Sequence, residues 1–426
     1  MIFFRKTLVA ASVMAAVSSA QAATPTNEEI WQQLQQMQQQ MAEIQQQNKL
    51  LKSENEQLKD KVDATQQTAL EANETAEALA EATEQAVKSV SASASNTNIG
   101  GYGELHYNNL EDEDGNETNK VDFHRFVLFF GHEFNDRLRF FSEFELEHAL
   151  VKDTDGGSNG GEVELEQAYI EYDMTQQHRV KGGVLLTPVG ILNETHEPNT
   201  FYGTERNAVE KNIIPTTWWT AGAMFSGEIA QGFSYDLAIS SGLDVSKGGT
   251  KSSYKIRDGR QKVSNALADD YAYTGRLKWT GMPGVELAAT VQYQEDMTQS
   301  QDATAGSATL FETHAVIQRG NFGLRALYAT WDLDGEGPKV KGYDEQTGWY
   351  VEPSYRINEN FGLFARYSEW DNQAGDDSID SEYDQFDLGV NWWPHQNVVV
   401  KADYQNQDKP NGGESDGFNL GLGYQF

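Results

Sequence analysis

The chain has 426 residues, a formal net charge of −33 and no cysteine. Such an acidic balance argues against a nucleic-acid partner, because phosphate contacts need a basic patch. Without cysteine the chain has no disulfide and no thiolate ligand, so backbone hydrogen bonds must hold its fold together.

The first 22 residues have the pattern of a secretory signal peptide. Arg5 and Lys6 precede an apolar run from Thr7 to Val17, and a small-x-small cleavage site ends at Ala22. The apolar run is too short to cross a bilayer as a helix, which needs about 20 residues. We therefore predict export, with cleavage after Ala22.

Residues 28–90 carry a heptad pattern. With Ile30 at position d, apolar or small residues recur at alternating spacings of four and three without a break. A pattern of this length is typical of a coiled coil rather than of a single amphipathic helix. Asn48 and Asn55 fall at a positions, where a buried amide sets parallel register. We predict a periplasmic coiled coil and linker over residues 23–98, whose oligomer number the seam leaves open.

From residue 99 onward the pattern has a period of two. It is clearest in the last strand, where Phe418, Leu420 and Leu422 alternate with small or polar residues up to the terminal Phe426. Sixteen such runs alternate with tight turns and long connections, as in outer-membrane barrels, where the long ones are outer loops. The long connections predicted are residues 108–120, 243–270 and 370–384. We predict an all-β transmembrane barrel of about 16 antiparallel strands over residues 99–426, with a water-filled lumen. A soluble β-sandwich or propeller is the alternative.

One long segment, residues 188–217, interrupts this alternation as the third outer connection. Folded inward, it would narrow the lumen and bring its charges close to a permeant ion. An ordinary surface loop is the alternative. The candidate constriction and solute-binding residues are Asn193, Glu194, His196, Glu197, Glu205, Arg206, Glu210 and Lys211.

Basic side chains on the inward strand faces form the candidate pore wall. Most of them stand between apolar neighbours that face lipid, which turns the basic residue towards the lumen. The strand that carries Arg125 is apolar on both faces, so its orientation is the least determined. We identify no dense run of basic residues along the barrel. The predicted wall residues are Arg125, Arg139, Lys181, Arg276, Lys278, Arg325 and Arg366.

Three segments carry a family resemblance, together with the signal peptide and the heptads. The opening Gly100–Glu104, the segment Gly182–Gly190 and the closing Phe426 resemble the phosphate-selective porin O and P family over residues 99–426. The resemblance implies a trimeric sixteen-stranded outer-membrane channel with a constriction loop, whose arginines and lysines bind anions. The matching positions are Arg206 and Lys211 on the loop, and Arg125, Arg139 and Lys181 on the wall.

Three functions compete. The leading one is a porin for passive diffusion of small hydrophilic solutes or ions, with selectivity set by the loop at 188–217; a phosphate or anion channel is its close alternative. The third is a structural tether between the outer membrane and the cell wall. An enzyme is not expected, because the eight histidines are scattered. Without cysteine or a His-x-x-x-His pair, we expect no tight zinc site and no cofactor.

The expected location is the outer membrane of a Gram-negative bacterium, with the coiled coil in the periplasm. A homotrimer is expected, surrounded by lipid and by lipopolysaccharide, to which divalent cations could bridge the acidic loops. Phe426 is expected to engage the barrel-assembly machinery, and the coiled coil could contact the cell wall.

Overall fold

The computed structural model describes residues 96–151, 160–246 and 254–426, together with isolated positions between Asn27 and Lys59. Sixteen antiparallel strands close into one barrel, in which each strand pairs with its neighbours in sequence and the first pairs with the last. The predicted barrel and its strand number are confirmed.

The described strands and helices follow one another in a simple meander. They are β1 (Thr97–Asp112), β2 (Glu117–Asn135), β3 (Leu138–Glu147), β4 (Val163–Asp173), β5 (His178–Leu186), α1 (Ala208–Asn212), β6 (Trp219–Ala230), β7 (Phe233–Ser241), β8 (Tyr271–Met282), β9 (Val285–Gln294), β10 (Ala308–Arg319), β11 (Phe322–Leu333), α2 (Glu336–Val340), β12 (Glu345–Arg356), β13 (Phe361–Asp371), β14 (Glu382–His395), β15 (Val398–Lys409) and β16 (Gly413–Gln425).

The two ends of the barrel differ in the length of their connections. At one end the turns are as short as residues 136–137, whereas at the other end the connections reach residues 187–218 and 242–270. Short turns face the periplasm in barrels of this kind, so the long connections mark the outer end. The long loop predicted at 108–120 is wrong, because β1 and β2 continue through it. Only residues 113–116 turn, and Asp112 Oδ1 accepts a hydrogen bond there from Asn116 N (2.8 Å).

The outward face of the barrel is apolar and rich in rings. On β16, Phe418 and Leu420 are 61% and 49% exposed, whereas the intervening Asn419 is 1% exposed and faces inward. Ring pairs such as Phe361 with Trp392 (6.1 Å between centroids) lie on neighbouring strands at the short-turn end. This alternation suits a wall with lipid outside and a polar lumen.

A hydrophobic core lies inside the lumen. It forms because residues 187–218, here called the inward loop, carry apolar side chains that are almost fully buried, among them Val209, Ile213 and Trp218. They cluster with Trp331 of β11 and Tyr350 of β12. Each such side chain contributes about 1.5–3 kcal/mol on burial, enough together to hold the loop against one side of the wall.

The wall accommodates the loop at a glycine. A Cβ atom at Gly348 of β12 would lie 3.0 Å from side-chain carbons of both Ile213 and Val209. Trp331 Nε1 also donates a hydrogen bond to Ile213 O (2.9 Å). The loop and the β11–β12 face are therefore matched in shape as well as in polarity.

The N-terminal predictions fall mostly outside the described residues. The predicted signal peptide (residues 1–22) lies entirely outside them. Within the predicted coiled coil, the described positions between Asn27 and Lys59 are helical, and Met37 and Met41 are exposed. No helix in the described part of the chain is long and apolar enough to cross a membrane. The coiled coil stays a prediction.

Deleting Phe426 tests the barrel seam. Gly101 N donates to Phe426 O (3.0 Å) and Phe426 N donates to Gly101 O (2.9 Å), so the deletion removes two hydrogen bonds worth about 1–3 kcal/mol together. We expect the heat-modifiable, folded fraction on gels to fall severalfold. Phe322→Ala removes an equally exposed ring (66%) elsewhere and should assemble normally. Normal assembly of the deletion variant would contradict a role for the terminal residue.

Candidate functional site

The inward loop crosses the lumen and touches its wall on several sides. Arg325 of β11 donates to Thr200 O (2.5 Å), and Asn391 of β14 donates to Phe201 O (3.2 Å). Glu205 bonds to His106 of β1 (3.0 Å between Oε1 and Nδ1). Strands on different sides of the barrel therefore hold the same short segment.

A buried carboxylate organises the middle of the inward loop. Glu210 accepts hydrogen bonds from Ile191 N (2.9 Å), Leu192 N (2.6 Å) and Tyr350 Oη (2.7 Å). Burial raises the pKa of Glu210, although these hydrogen bonds oppose the shift. Gly190 has a φ of 73°, and a Cβ there would lie 2.8 Å from Glu210 Oε2, so this turn requires glycine.

Asn193 fastens the two ends of the loop together. Its Nδ2 donates to Thr187 O (2.7 Å) and Trp218 O (3.0 Å), and its Oδ1 accepts from Trp218 N (2.6 Å). Asn193 and Glu210 are both fully buried. The structure therefore places these two predicted constriction residues inside the loop, where they hold its shape, and not on the lumen surface.

His196 and Glu194 join the loop to the wall by charge. His196 Nε2 lies 3.2 Å from Glu143 Oε1 on β3 and 3.5 Å from Glu166 Oε2 on β4. Burial alone would lower the pKa of His196, but the charge of Glu143 and the hydrogen bonds to both carboxylates raise it to about 10. Glu194 bonds to Arg276 of β8. Glu197 is half-buried, and its carbonyl accepts from Thr200 N (3.0 Å).

An opening of about 150 Å³ remains on the side of the barrel opposite the apolar core of the loop; we call it the basic cavity. Glu205, Arg206 and Lys211 of the predicted loop set line it, and so does Arg125 of the predicted wall. Arg125 Nε lies 2.6 Å from Glu104 Oε1. The full lining is Glu104, His106, His124, Arg125, Glu147, Glu164, Glu166, Thr204, Glu205, Arg206, Lys211, Thr216, Thr217, Trp219, Arg257, Arg260 and Lys262.

Three basic lining residues, Arg257, Arg260 and Lys262, come from the connection between β7 and β8. Sequence reasoning treated this connection as an outer loop and missed them. With Lys255 they form four bases within eight residues, so the statement that the barrel has no dense basic run is wrong. The sequence shows this local density of basic residues, but it does not show that the connection folds into the lumen.

The remaining predicted wall residues point inward and are engaged with acids or with the loop. Arg366 bonds to Asp387 (3.0 Å) and Glu352 (3.2 Å). Lys181, Arg276 and Lys278 together line a second cavity, but none of these wall residues lines the basic cavity. The remaining wall residues make their contacts elsewhere on the wall. Apart from those of Arg366, the contacts are Arg139 with Glu171 and Asp173, Lys181 with Glu171, Arg276 with Asp236 and Glu194, Lys278 with Glu286, and Arg325 with Thr200.

A wider cavity of about 590 Å³ adjoins the basic cavity towards the outer end, and we call it the outer vestibule. Four residues line both spaces: His124, Glu205, Arg206 and Lys211. The two cavities therefore describe a path from the outer mouth to a charged narrow region beside the inward loop.

Comparison with known proteins agrees with this architecture. The family model described as "Phosphate-selective porin O and P" matches residues 96–426. An uncharacterized protein of Aquifex aeolicus (strain VF5) is 32% identical over 357 residues, which cover 77% of this chain and 79% of that protein. The anion-selective porin from Comamonas acidovorans has a TM-score of 0.56 at 11% identity, covering 78% of this chain and 100% of that one. For the trimer form of OmpT from Vibrio cholerae the TM-score is 0.50 at 13% identity, covering 78% and 99%. At these identities the solved structures share the fold alone.

The His196 contact predicts a pH dependence. Because the folded pKa of about 10 lies above the ordinary value of 6.5, this contribution to stability is complete below pH 6.5 and is lost as the pH rises through 10. In detergent, between pH 6.5 and 10, the free energy of unfolding of the wild type should fall by about 1.4 kcal/mol per pH unit relative to that of His196→Gln. His395→Gln, at the end of β14 beside a short turn and away from the inward loop, should follow the wild type. If the free energies of unfolding of the wild type and His196→Gln change with pH in parallel, the prediction is contradicted.

Proposed function

This chain belongs to the phosphate-selective porin O and P family, and on that premise we propose that its outer-membrane channel passes small hydrophilic solutes with a preference for anions. One observation carries the preference. Arg206, Arg257 and Arg260 line the basic cavity without a carboxylate ion-pair partner among the described residues. The family is one of channels rather than of enzymes.

The three guanidinium groups donate to neutral oxygens. Arg206 Nη1 donates to Thr217 Oγ1 (2.8 Å), and Arg260 Nη1 donates to Thr217 O (2.6 Å). Arg257 donates to Lys211 O and to Thr216 O (3.3 Å). Arg206 Nε and Arg260 Nε are buried without a hydrogen-bond partner in the part of the chain that the structure describes. Neutral acceptors orient these side chains but leave their charge uncompensated, so the cavity favours an anion.

Four of the five glutamates that line the cavity pair with a basic residue other than these three arginines. Glu104 pairs with Arg125, Glu164 with Lys262, Glu166 with His196, and Glu205 with His106. Burial and the charge of Arg260 lower the pKa of Arg257 to about 10, which still leaves it protonated at neutral pH. The local balance is therefore positive although the whole chain carries −33. Exposed acids more than a Debye length away, about 10 Å at 0.1 M salt, are largely screened, whereas partly buried charges at the cavity are screened much less.

The assembly we propose is a homotrimer, aided by the predicted coiled coil. The OmpT barrel similar to this one is a trimer form, and a parallel heptad seam suits association of identical chains. We propose three further partners of the protein. They are lipopolysaccharide, bridged by cations to the acidic loops, the assembly machinery, which engages Phe426, and the cell wall, which contacts the coiled coil.

Removing two of the arginine charges tests anion preference. The double variant Arg257→Gln/Arg260→Gln keeps amide donors for the backbone oxygens but loses two positive charges. One charge at about 5 Å contributes about 1–3 kcal/mol at an effective dielectric of 20–80. We expect the chloride-to-potassium permeability ratio, from reversal potentials in a KCl gradient, to fall at least about fivefold.

The matched control is Arg137→Gln. Arg137 also donates to backbone oxygens, Asp173 O (2.7 Å) and Met174 O (2.6 Å), but at the short-turn end away from the cavity. The Arg137→Gln variant should keep the chloride-to-potassium permeability ratio near the wild-type value. Cation preference in the wild type, or an unchanged ratio in the double variant, would contradict the anion preference proposed for these arginines.

Deleting residues 24–95, which leaves β1 whole, separates a channel from a tether. Because the barrel closes through its own strands, we expect single-channel conductance to persist while the trimeric fraction in detergent falls. Full trimer without these residues would contradict the role proposed for the coiled coil. Loss of envelope integrity in cells with unchanged channel activity would support the tether.

A further inference from the structure

A cluster of metal-ligating side chains lies on the wall of the outer vestibule, outside the arginine group. We propose that Asp122, His124 and His148 form a binding site for a divalent transition-metal ion of the Zn²⁺, Ni²⁺ or Cu²⁺ class. This proposal goes beyond the anion channel and does not depend on it, because the three ligands include none of the arginines and only His124 also lines the basic cavity.

The three ligand atoms are already close to the spacing that a metal needs. Asp122 Oδ2 lies 2.8 Å from His148 Nδ1 and 3.2 Å from His124 Nδ1. All three atoms lie within 4.8 Å of one another. In a tetrahedral zinc site with bonds of about 2.0–2.2 Å, neighbouring ligand atoms stand about 3.3 Å apart. Small rotations of the side chains therefore suffice to enclose an ion.

The donor set decides the class of ion. Two imidazole nitrogens and one carboxylate suit Zn²⁺, Ni²⁺ and Cu²⁺, whereas Ca²⁺ and Mg²⁺ take oxygen ligands. Three protein ligands also leave a position open to water or to a solute in the vestibule. On the other side of His124, His106 stacks at 4.6 Å and bonds to Glu205.

The backbone brings His148 to this position through an unusual conformation. Asp122 and His124 are two residues apart on β2, so both face the lumen. His148 directly follows β3, and its N–H donates to His124 O (3.2 Å). His148 and Ala149 both have a φ of 54°, in the left-handed region that non-glycine residues rarely adopt. This turn swings the His148 ring edge-on to His124, with centroids 5.7 Å apart.

The cluster is open to ions from outside. The His148 side chain is 43% exposed, and the Asp122 and His124 side chains are 20% and 26% exposed. By contrast, a second group of potential ligands, formed by Glu143, Glu166 and His196, is fully buried under the inward loop. An incoming ion reaches the vestibule cluster without displacing any part of the loop.

Zinc titration of the purified full chain in detergent tests the site. We expect the wild type to bind one Zn²⁺ per chain by calorimetry, without competition from Ca²⁺. His148→Asn preserves the left-handed turn, which asparagine tolerates, but removes a ligand. Loss of a group that only contacts a metal ligand weakens metal binding about 10- to 100-fold. The double variant Asp122→Asn/His148→Asn removes two ligands, so we expect its zinc binding to weaken by more than that. His132→Gln, at the other end of β2, should bind like the wild type.

Two further outcomes would overturn the proposal. One is a wild type that does not bind Zn²⁺, and the other is unchanged binding in the Asp122→Asn/His148→Asn variant that still folds into a heat-modifiable barrel. X-ray absorption at the zinc edge supplies a second readout. Two imidazole nitrogens with bonds of about 2.0–2.1 Å support the site, and a shell of oxygens alone contradicts it. Arg257→Gln/Arg260→Gln should bind zinc normally, which separates this test from that of anion selection.

Discussion

Burial of the apolar face of the inward loop against β11 and β12 is the interaction on which the rest of the interior depends. A sixteen-stranded barrel encloses a water-filled space, and a loop would remain in solvent unless the wall offered it apolar surface. Here the apolar face of the loop, formed by Val209, Ile213 and Trp218, packs against Trp331 and Tyr350 on one side only. The opening is therefore displaced to the opposite side, where the wall is charged.

Because the opening is displaced to the charged side of the wall, a chain with a net negative charge can still contain a positively charged passage. The net charge of −33 is spread over loops and over inward carboxylates that pair with arginine, lysine or histidine. At the basic cavity three arginines instead donate to backbone carbonyls and a hydroxyl group. The anion preference that we propose rests on charge at this cavity that lacks a carboxylate partner among the described residues, so the sign of the whole chain is a poor guide to it.

Strand pairing also creates chemistry that no local motif encodes. His124 and His148 are 24 residues apart in sequence, yet their rings lie 5.7 Å apart because β2 and β3 are neighbours and a left-handed turn follows β3. A search for His-x-x-x-His pairs assumes helical spacing and overlooks ligands that a sheet brings together. The wall of a barrel can thus carry a metal site between strands without any sequence signature.

The sequence by itself determined the barrel, its sixteen strands, the inward faces of Arg276 and Arg366 and the identity of the long interrupting segment. It could do so because alternation with period two records which side of each strand meets lipid. It could not determine that Asn193 and Glu210 would be buried, or that Arg257 and Arg260 would reach the passage. Those outcomes depend on how two long connections fold into a shared lumen, and loops carry no periodic pattern from which such packing can be read. Only the tertiary structure decides which loop charges meet and which remain without a partner.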